Sequence, residues 1–275
     1  MFSDSLNEDP ALYTLVDQEG EIYLYECNYS LPLGFMTNGY TNILEGYYNQ
    51  ETSNPLERQN NMVNALGIAS PLFVGTGTGS DGTSTTIIAD VSGHYYAHVG
   101  NSRIDTLKLN SEQGTKSFTK LKNNYICDLG WYEAGSTIYL SSEDSTSLEL
   151  SAYRLDISVL DTALSLLSEQ SMTVDSFDSS HIKGHITVEE AGDLILSVPG
   201  EPGWSVLVNG KETETQLFAD TFILLSLEEG THSIELRYRP DGFIAGMAVS
   251  LTCLAAFLVL SLPKRRSNPK GDSQR

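Results

Sequence analysis

The stretch ELRYRPDGFIAGMAVSLTCLAAFLVLSLPKRR, residues Glu235–Arg266, joins a segment of alternating polar and apolar residues to an unbroken apolar one. Only Pro-Asp-Gly at 240–242 separates the two segments. Gly242–Leu262 contains no charged residue, and a helix of this length is about 31 Å long, which matches the hydrocarbon thickness of a bilayer. The stretch therefore predicts a β-strand that leads into one transmembrane helix over residues 241–263.

The charges on either side of this span predict its orientation. Arg237 and Arg239 precede it, whereas Lys264, Arg265 and Arg266 begin a basic tail over residues 264–275. Since cytoplasmic flanks carry the excess of Lys and Arg, we expect the tail in the cytoplasm and residues 1–241 outside the cell membrane.

The N-terminal text MFSDSLNEDPALYTLV is acidic and lacks the apolar core of a signal peptide. Either the chain is the C-terminal piece of a longer protein with several spans, or it is tail-anchored with its domain in the cytosol. The span itself places Gly242, Gly246 and Ser250 four residues apart, which favours close packing against other transmembrane helices of the full-length protein or of a complex.

Composition excludes several classes of protein. The formal net charge is −20, and the basic tail makes the remainder more acidic still, so nucleic acid is not an expected partner. With three cysteines there is no disulfide framework, and a Cys27–Cys127 bridge is less expected than two free thiols. No cofactor motif occurs.

Before the span, the sequence predicts a mainly β protein with two β-sandwich or jelly-roll-like modules joined by a helix. The two modules, residues 76–155 and 181–240, repeat an order of Gly, strand, loop, strand, acidic turn and closing strand, which indicates a duplication. Residues 156–180 are the connecting helix and linker, because the apolar side chains of ISVLDTALSLLSEQ recur at helical spacing. Asn209-Gly210 predicts a type I′ hairpin turn.

Residues 1–75 predict a hairpin and a short helix. ALYTLVDQEGEIYLYECN alternates around a turn, and NPLERQNNMVNALG begins with Asn-Pro and ends at Gly. The Gly-rich text GTGTGSDGTS that follows lacks the Lys of a phosphate-binding loop, so we interpret it as a flexible connector and the first domain boundary.

Neither a catalytic residue nor a metal site is predicted. His94 and His98, like His181 and His185, stand four residues apart in strand patterns, where about 13 Å separates them, too far to share a metal ion. No nucleophile motif accompanies them. Tyr95, Trp131, Tyr132 and Trp204 are candidates for stacking against a glycan, although packing within the sheets is the preferred explanation for such residues.

Three blocks of the sequence, YLYECNYSLPLGFMTN, NPLERQNNMVNALG and the region from ITVEEAGDLILSVPGEPGWSVLVNGKE through GTHSIELRYRPDGFIAGMAVS, resemble the C-terminal part of the YfhO family of bacterial membrane proteins. The resemblance implies a multi-spanning protein like the C-type glycosyltransferases, which uses a polyprenyl-phosphate-linked sugar and decorates lipoteichoic acid or similar envelope polymers. It also implies that the catalytic acidic residue lies in an early loop that these residues do not include.

Two functions follow as hypotheses. The first is a non-catalytic exoplasmic domain of such a glycosyltransferase-like protein, in contact with the lipid bilayer and with an envelope glycopolymer. The second is a stand-alone, membrane-anchored β-sandwich module that binds an envelope glycan or a partner protein. An independent enzyme is the third and weakest reading, because no catalytic constellation is placed by the sequence.

Overall fold

The computed structural model describes residues 2–3, 11–37, 39–48, 54–77, 79–100, 103–121, 125–144 and 147–261. These residues form a mainly β protein with several antiparallel sheets, few helices and one C-terminal apolar helix, as predicted. The basic tail, with Lys264, Arg265 and Arg266, lies outside the described residues.

The N-terminal region contains the predicted hairpin and the predicted helix, together with three further elements. Its elements are β1 Phe2–Ser3, β2 Tyr13–Glu19, β3 Ile22–Cys27, β4 Gly34–Met36, α1 Thr41–Tyr48 and α2 Pro55–Ala65. Strands β2 and β3 pair directly, and β1 adds to the other edge of β3. Helix α2 begins where Asn54 accepts a hydrogen bond from the backbone of Leu56 at 3.0 Å, as an N-cap residue does.

The first sandwich has two sheets that face each other. Its strands are β5 Phe73–Thr76, β6 Gly79–Asp81, β7 Ser84–Ile88, β8 Gly93–Val99, β9 Thr106–Ser111, β10 Gly114–Thr119, β11 Ile126–Tyr132, β12 Thr137–Ser141 and β13 Leu150–Leu155. One sheet has the order β10-β9-β12-β7-β6, and the other has the order β11-β8-β13-β5. Ile87, Leu107 and Ile138 of the first sheet meet Tyr95 and Ala97 of the second in one buried core.

The prediction of a flexible connector after residue 75 is wrong. Strand β5 pairs with β13, and β6 pairs with β7 through Gly79↔Thr86 to Asp81↔Ser84. The Gly-rich segment is therefore part of the first sandwich, because glycine and threonine extend the sheet edge without adding the apolar alternation by which strands are recognised in a sequence.

Helix α3, Ile157–Ser168, connects the two sandwiches as predicted. It begins where the Asp156 carboxylate accepts backbone hydrogen bonds from Ser158 at 3.1 Å and Val159 at 3.4 Å. The buried residues Val159 and Ala163 pack in a second core that also contains Phe73 of the first sandwich. The apolar stripe of the helix thus rests on the sheets, as its spacing indicated.

The second sandwich again has two sheets. Its strands are β14 Thr173–Phe177, β15 His181–Val188, β16 Gly192–Pro199, β17 Trp204–Val208, β18 Lys211–Thr213, β19 Gln216–Phe218, β20 Phe222–Leu227 and β21 Gly230–Tyr238. The orders are β14-β15-β21-β17-β18 and β19-β20-β16-β4. Asn209 and Gly210 have φ of 53° and 77°, as both central residues of a type I′ turn require.

The two sandwiches share one topology. Reading across the five-stranded sheets, β10-β9-β12-β7-β6 of the first corresponds strand by strand to β18-β17-β21-β15-β14 of the second. In the facing sheets, β11 beside β8 corresponds to β20 beside β16. The duplication inferred from the sequence is therefore present in the strand order.

The second sandwich also recruits strands from outside residues 181–240. Strand β14 precedes them, and β4 pairs with β16 through Leu194↔Met36 to Leu196↔Gly34. Local sequence patterns do not reveal a three-residue strand whose partner lies some 160 residues further along the chain.

Candidate functional site

The candidate site is the end of the second sandwich from which the C-terminal helix leaves. Strand β21 is the central strand of its sheet and ends at Tyr238. Three hydrogen bonds hold the short connection that follows: Arg239 N to Gly203 O at 2.9 Å, Phe243 N to Pro240 O at 3.2 Å and Gly246 N to Gly242 O at 2.8 Å. The sheet and the helix are thus joined by an ordered connection and not by a free linker.

The helix itself, α4 Phe243–Ser261, is the one helix among the described residues that is long and apolar enough to cross a membrane. None of its residues is buried against the rest of the protein. A 19-residue apolar helix without a protein partner needs a lipid environment or other helices to cover it. The junction is therefore the candidate point of contact with a membrane.

The predicted small-residue groove lies partly in this helix. Gly246 and Ser250 are one turn apart on α4 and are exposed. Gly242 has φ of +77°, so it precedes the helix, and its carbonyl accepts the first helical hydrogen bond. Since a Cβ at Gly242 or Gly246 would meet no atom within 4 Å, a second helix has room to approach there, and this packing remains a proposal.

Aromatic and cationic side chains surround the start of α4. The rings of Trp204 and Tyr238 lie 5.0 Å apart at 52°, side by side on neighbouring strands. Trp204, Arg237, Arg239 and Phe243 line an open cleft between the sandwich and the helix. Trp, Tyr and Arg are the side chains that favour the headgroup region of a bilayer.

An ion-pair network lies beside this cleft on the outer face of the five-stranded sheet. The Glu235 carboxylate is 2.7 Å from Arg237 Nε, 2.9 Å from His181 Nε2 and 3.6 Å from Lys183 Nζ. The hydrogen bond from Arg237, supported by the one from His181, lowers the pKa of Glu235 to about 2. One carboxylate thus gathers three potential cations, so this face is locally basic in an acidic protein.

Of the four candidates for glycan stacking, two are wrong. Tyr95 and Tyr132 are 0% and 2% exposed, and their rings pack edge to face at 6.2 Å inside the first sandwich. Burial raises the pKa of both phenols. Alternation along β8 and β11 turns these rings inward, so neither offers a face to a sugar. Trp131 and Trp204 are half-buried and belong to different sandwiches, so they form no common site.

The histidine pairs lie in strands, as predicted. His94 is on β8 with Nε2 2.6 Å from the Asp128 carboxylate, and His185 on β15 is 3.0 Å from Asp175. Burial acts to raise the pKa of Asp128, but the hydrogen bond and charge of His94, with Lys116, lower it on balance. Within the described ranges, no three His, Cys, Asp or Glu side chains come together as metal ligands would.

Sequence reasoning missed the role of the residues that fix the junction. No local sequence pattern indicates a role for Gly203, Glu235 or Tyr238. The φ of +119° at Gly203 and the contact of the Glu235 carboxylate with a neighbouring strand arise only once the strands pair. In the sequence, Arg237 and Arg239 are informative only as charges that flank the span. An aromatic or cationic side chain directly before an apolar span was the available signal.

The sheet that continues into an exposed apolar helix defines a membrane-bound β-sandwich protein. A model of the family described as Bacterial membrane protein YfhO matches residues 75–250, which include most strands of both sandwiches and the start of α4. The chain belongs to the YfhO family of bacterial membrane proteins. No curated protein sequence matches it.

Solved structures give distant similarities. A GH2 beta-galacturonidase from Eisenbergiella tayi bound to glycerol is 8% identical, with a TM-score of 0.20, and the match covers 83% of this chain and 35% of that one. A Cupin 2 conserved barrel domain protein from Leptotrichia buccalis is 13% identical, with a TM-score of 0.16, and the match covers 64% of this chain and 94% of that one. The chain therefore spans about a third of the length of the galacturonidase.

Proposed function

We propose that residues 1–241 are a non-catalytic exoplasmic domain of a polytopic, glycosyltransferase-like membrane protein. The full-length protein would use a polyprenyl-phosphate-linked sugar in the glycosylation of a cell-envelope polymer of the lipoteichoic acid type. The observation that carries the proposal is the direct continuation of β21 into α4, in a chain of the YfhO family. This continuation would keep the second sandwich next to the membrane, where a polymer acceptor would be presented.

The side chains of the described residues support a binding role and not a catalytic one. Two His–carboxylate pairs, His94 with Asp128 and His181 with Glu235, lie on sheet faces, and among the described residues no three His, Cys, Asp or Glu side chains come together as metal ligands would. A nucleophile and its base need to share a cleft with a stabilising donor. Catalysis would thus come from elsewhere in the full-length protein. Trp131 and Trp204 remain the candidates for contact with a glycan.

The orientation can be tested with the cysteines, because the fold makes only one of them a useful reporter. Cys27 is exposed, whereas Cys127 is buried and burial raises the pKa of its thiol to about 12. Cys253 lies inside α4. A membrane-impermeant maleimide added to intact cells should therefore label Cys27, and the variant Cys27→Ala should remove that label.

A matched control places a cysteine on the other side of the membrane. In the Cys27→Ala background, Ser267→Cys should react only after the cells are broken, because the positive-inside rule assigns Lys264, Arg265 and Arg266 to the cytoplasm. Labelling of Cys27 only in broken cells, with Ser267→Cys reactive in intact ones, would reverse the orientation and overturn the proposal.

The second candidate, a stand-alone anchored module that binds a glycan or a partner protein, rests on the same junction. The groove of Gly246 and Ser250 favours the first candidate, because a lone anchor has no need of a helix-packing face. The DNA upstream of Met1 separates the two. Several apolar spans encoded in the same frame would support the polytopic protein, whereas their absence would support the module.

A further inference from the structure

An apolar cavity of about 350 Å³ lies between the second sandwich and the helices that cover it. The β4-β16-β20 face contributes Phe35, Ile195 and Phe222, and the helices contribute Met62 of α2 and Leu167 of α3. Protein interiors are normally packed without voids larger than a water molecule. A recess of this volume is at the lower end of the range of small-molecule pockets.

The lining defines the chemistry of an occupant. Of the fourteen residues that surround the cavity, only Gln59 and Ser197 are polar, and none carries a charge. Both polar residues are exposed, so they lie at the mouth and not in the depth of the cavity. A charged or strongly hydrogen-bonding group would be desolvated inside without a partner. The cavity thus suits a hydrocarbon chain.

The burial along β16 shows where the cavity opens. Ile195 is 4% exposed beneath the helices, whereas Ser197 and Pro199, on the same face, are exposed. Leu31 on the neighbouring segment is 37% exposed. The helical cover therefore ends between Ile195 and Ser197, and the mouth lies toward the end of β16.

That end of β16 is also the end that carries the membrane helix. Pro199 pairs with Phe222, and Gly200 N donates to Thr221 O at 2.7 Å. The chain then turns to Gly203, whose carbonyl accepts the hydrogen bond from Arg239 just before α4. Since the two sheets of a sandwich lie about 10 Å apart, the mouth and the start of α4 share one end of the molecule.

We propose that this cavity takes up the hydrocarbon chain of a membrane lipid, with the headgroup remaining outside near Ser197. The lipid is the occupant because the interior of the cavity is apolar and its mouth lies at the end of the sandwich from which the membrane helix α4 leaves. The lipid would come from the leaflet next to the start of α4, and it does not matter on which side of the membrane that leaflet lies. The proposal is therefore independent of the exoplasmic orientation, and either can fail alone.

The test uses the full chain in lipid nanodiscs that contain a phospholipid with a diazirine on its acyl chain. After irradiation, mass spectrometry should find adducts on peptides that contain Met62 or Leu167, in addition to the adducts expected on α4. The variant Ser197→Trp adds a bulky ring at the exposed mouth, and it should lower the Met62 and Leu167 adducts about tenfold while those on α4 stay constant.

Thr187→Trp is the matched control, because Thr187 is also an exposed strand residue of the second sandwich but lies on the other sheet. It should leave the adducts unchanged, and circular dichroism melting of both variants shows that they fold as the parent does. Adducts confined to α4, or equal labelling of Met62 and Leu167 in Ser197→Trp, would overturn the proposal. Labelling by a free diazirine fatty acid but not by the phospholipid would overturn the membrane source.

Discussion

The substitution Gly203→Ala should destabilise the second sandwich, because both the backbone conformation of Gly203 and a close backbone contact oppose a side chain there. Gly203 has φ of +119°, and a Cβ there would lie 2.7 Å from Arg239 O and 3.2 Å from Tyr238 Cε2. The backbone conformation alone costs a non-glycine residue about 1–3 kcal/mol. Shifting Arg239 away would weaken its hydrogen bond to Gly203, at about 1 kcal/mol more. We expect a loss of about 2–4 kcal/mol.

The two tryptophans allow the stability of each sandwich to be measured separately. In a Trp131→Phe background, fluorescence reports only Trp204 and hence the second sandwich, so urea unfolding of the full chain in detergent gives its stability. In a Trp204→Phe background the signal from Trp131 reports the first sandwich, which should shift less.

Two other glycines serve as controls for the expected loss of stability. Gly210 also has a positive φ, of 77°, but a Cβ there would meet nothing within 4 Å, so Gly210→Ala should cost only about 1–2 kcal/mol. Gly46 lies in helix α1 with open space around it, and Gly46→Ala should stabilise slightly, by about 0.5–1 kcal/mol. If Gly203→Ala costs no more than Gly210→Ala, the close contact at the junction is not as described.

Three further predictions concern the ion-pair network and the helices. The pKa of Glu235 is lowered from 4.5 to about 2, so its contribution to stability is present above pH 4.5 and is lost as the pH falls toward 2. Glu235→Gln should therefore flatten the pH dependence of Trp204 unfolding in that window; an unchanged acid limb would contradict this. Asp156→Ala removes the N-cap of α3 and should cost about 1 kcal/mol in thermal or urea unfolding, whereas Asp156→Asn, which keeps a capping oxygen, should cost less. Tyr153→Phe removes a hydroxyl 2.6 Å from Asn54 and 2.8 Å from Glu57, and should cost about 1–3 kcal/mol by Trp131 fluorescence. The exposed Tyr139→Phe is its control, and equal effects of the two would contradict the role of the buried hydroxyl.

The elements that could be predicted are those whose sequence signal depends only on neighbouring residues. The apolar length of α4, the capping residues Asn54 and Asp156 and the Asn209-Gly210 turn each act within a few residues, so their sequence patterns carry the information. The duplication was also predictable, since two similar strings of strands and turns recur at different places in the chain.

The missed features depend on distant pairing. The three residues of β4 join the second sandwich only because β16 leaves an open edge, and the Gly-rich segment becomes β6 because β7 is beside it. Likewise, the sequence leaves open whether Tyr95 and Tyr132 lie on the surface, because the face of β8 and β11 that points inward is decided only when the second sheet of the sandwich packs against it.

The position of β21 has a mechanical consequence. Its hydrogen-bonded neighbours are β15 on one side and β17 on the other, and its last residue is followed almost at once by α4. A pulling force on the helix would act along β21. The hydrogen bonds to β15 and to β17 would then be loaded in shear and would have to break together, not one after another. A change in bilayer thickness or helix tilt would therefore move the second sandwich as one rigid body before β21 separated from its neighbouring strands.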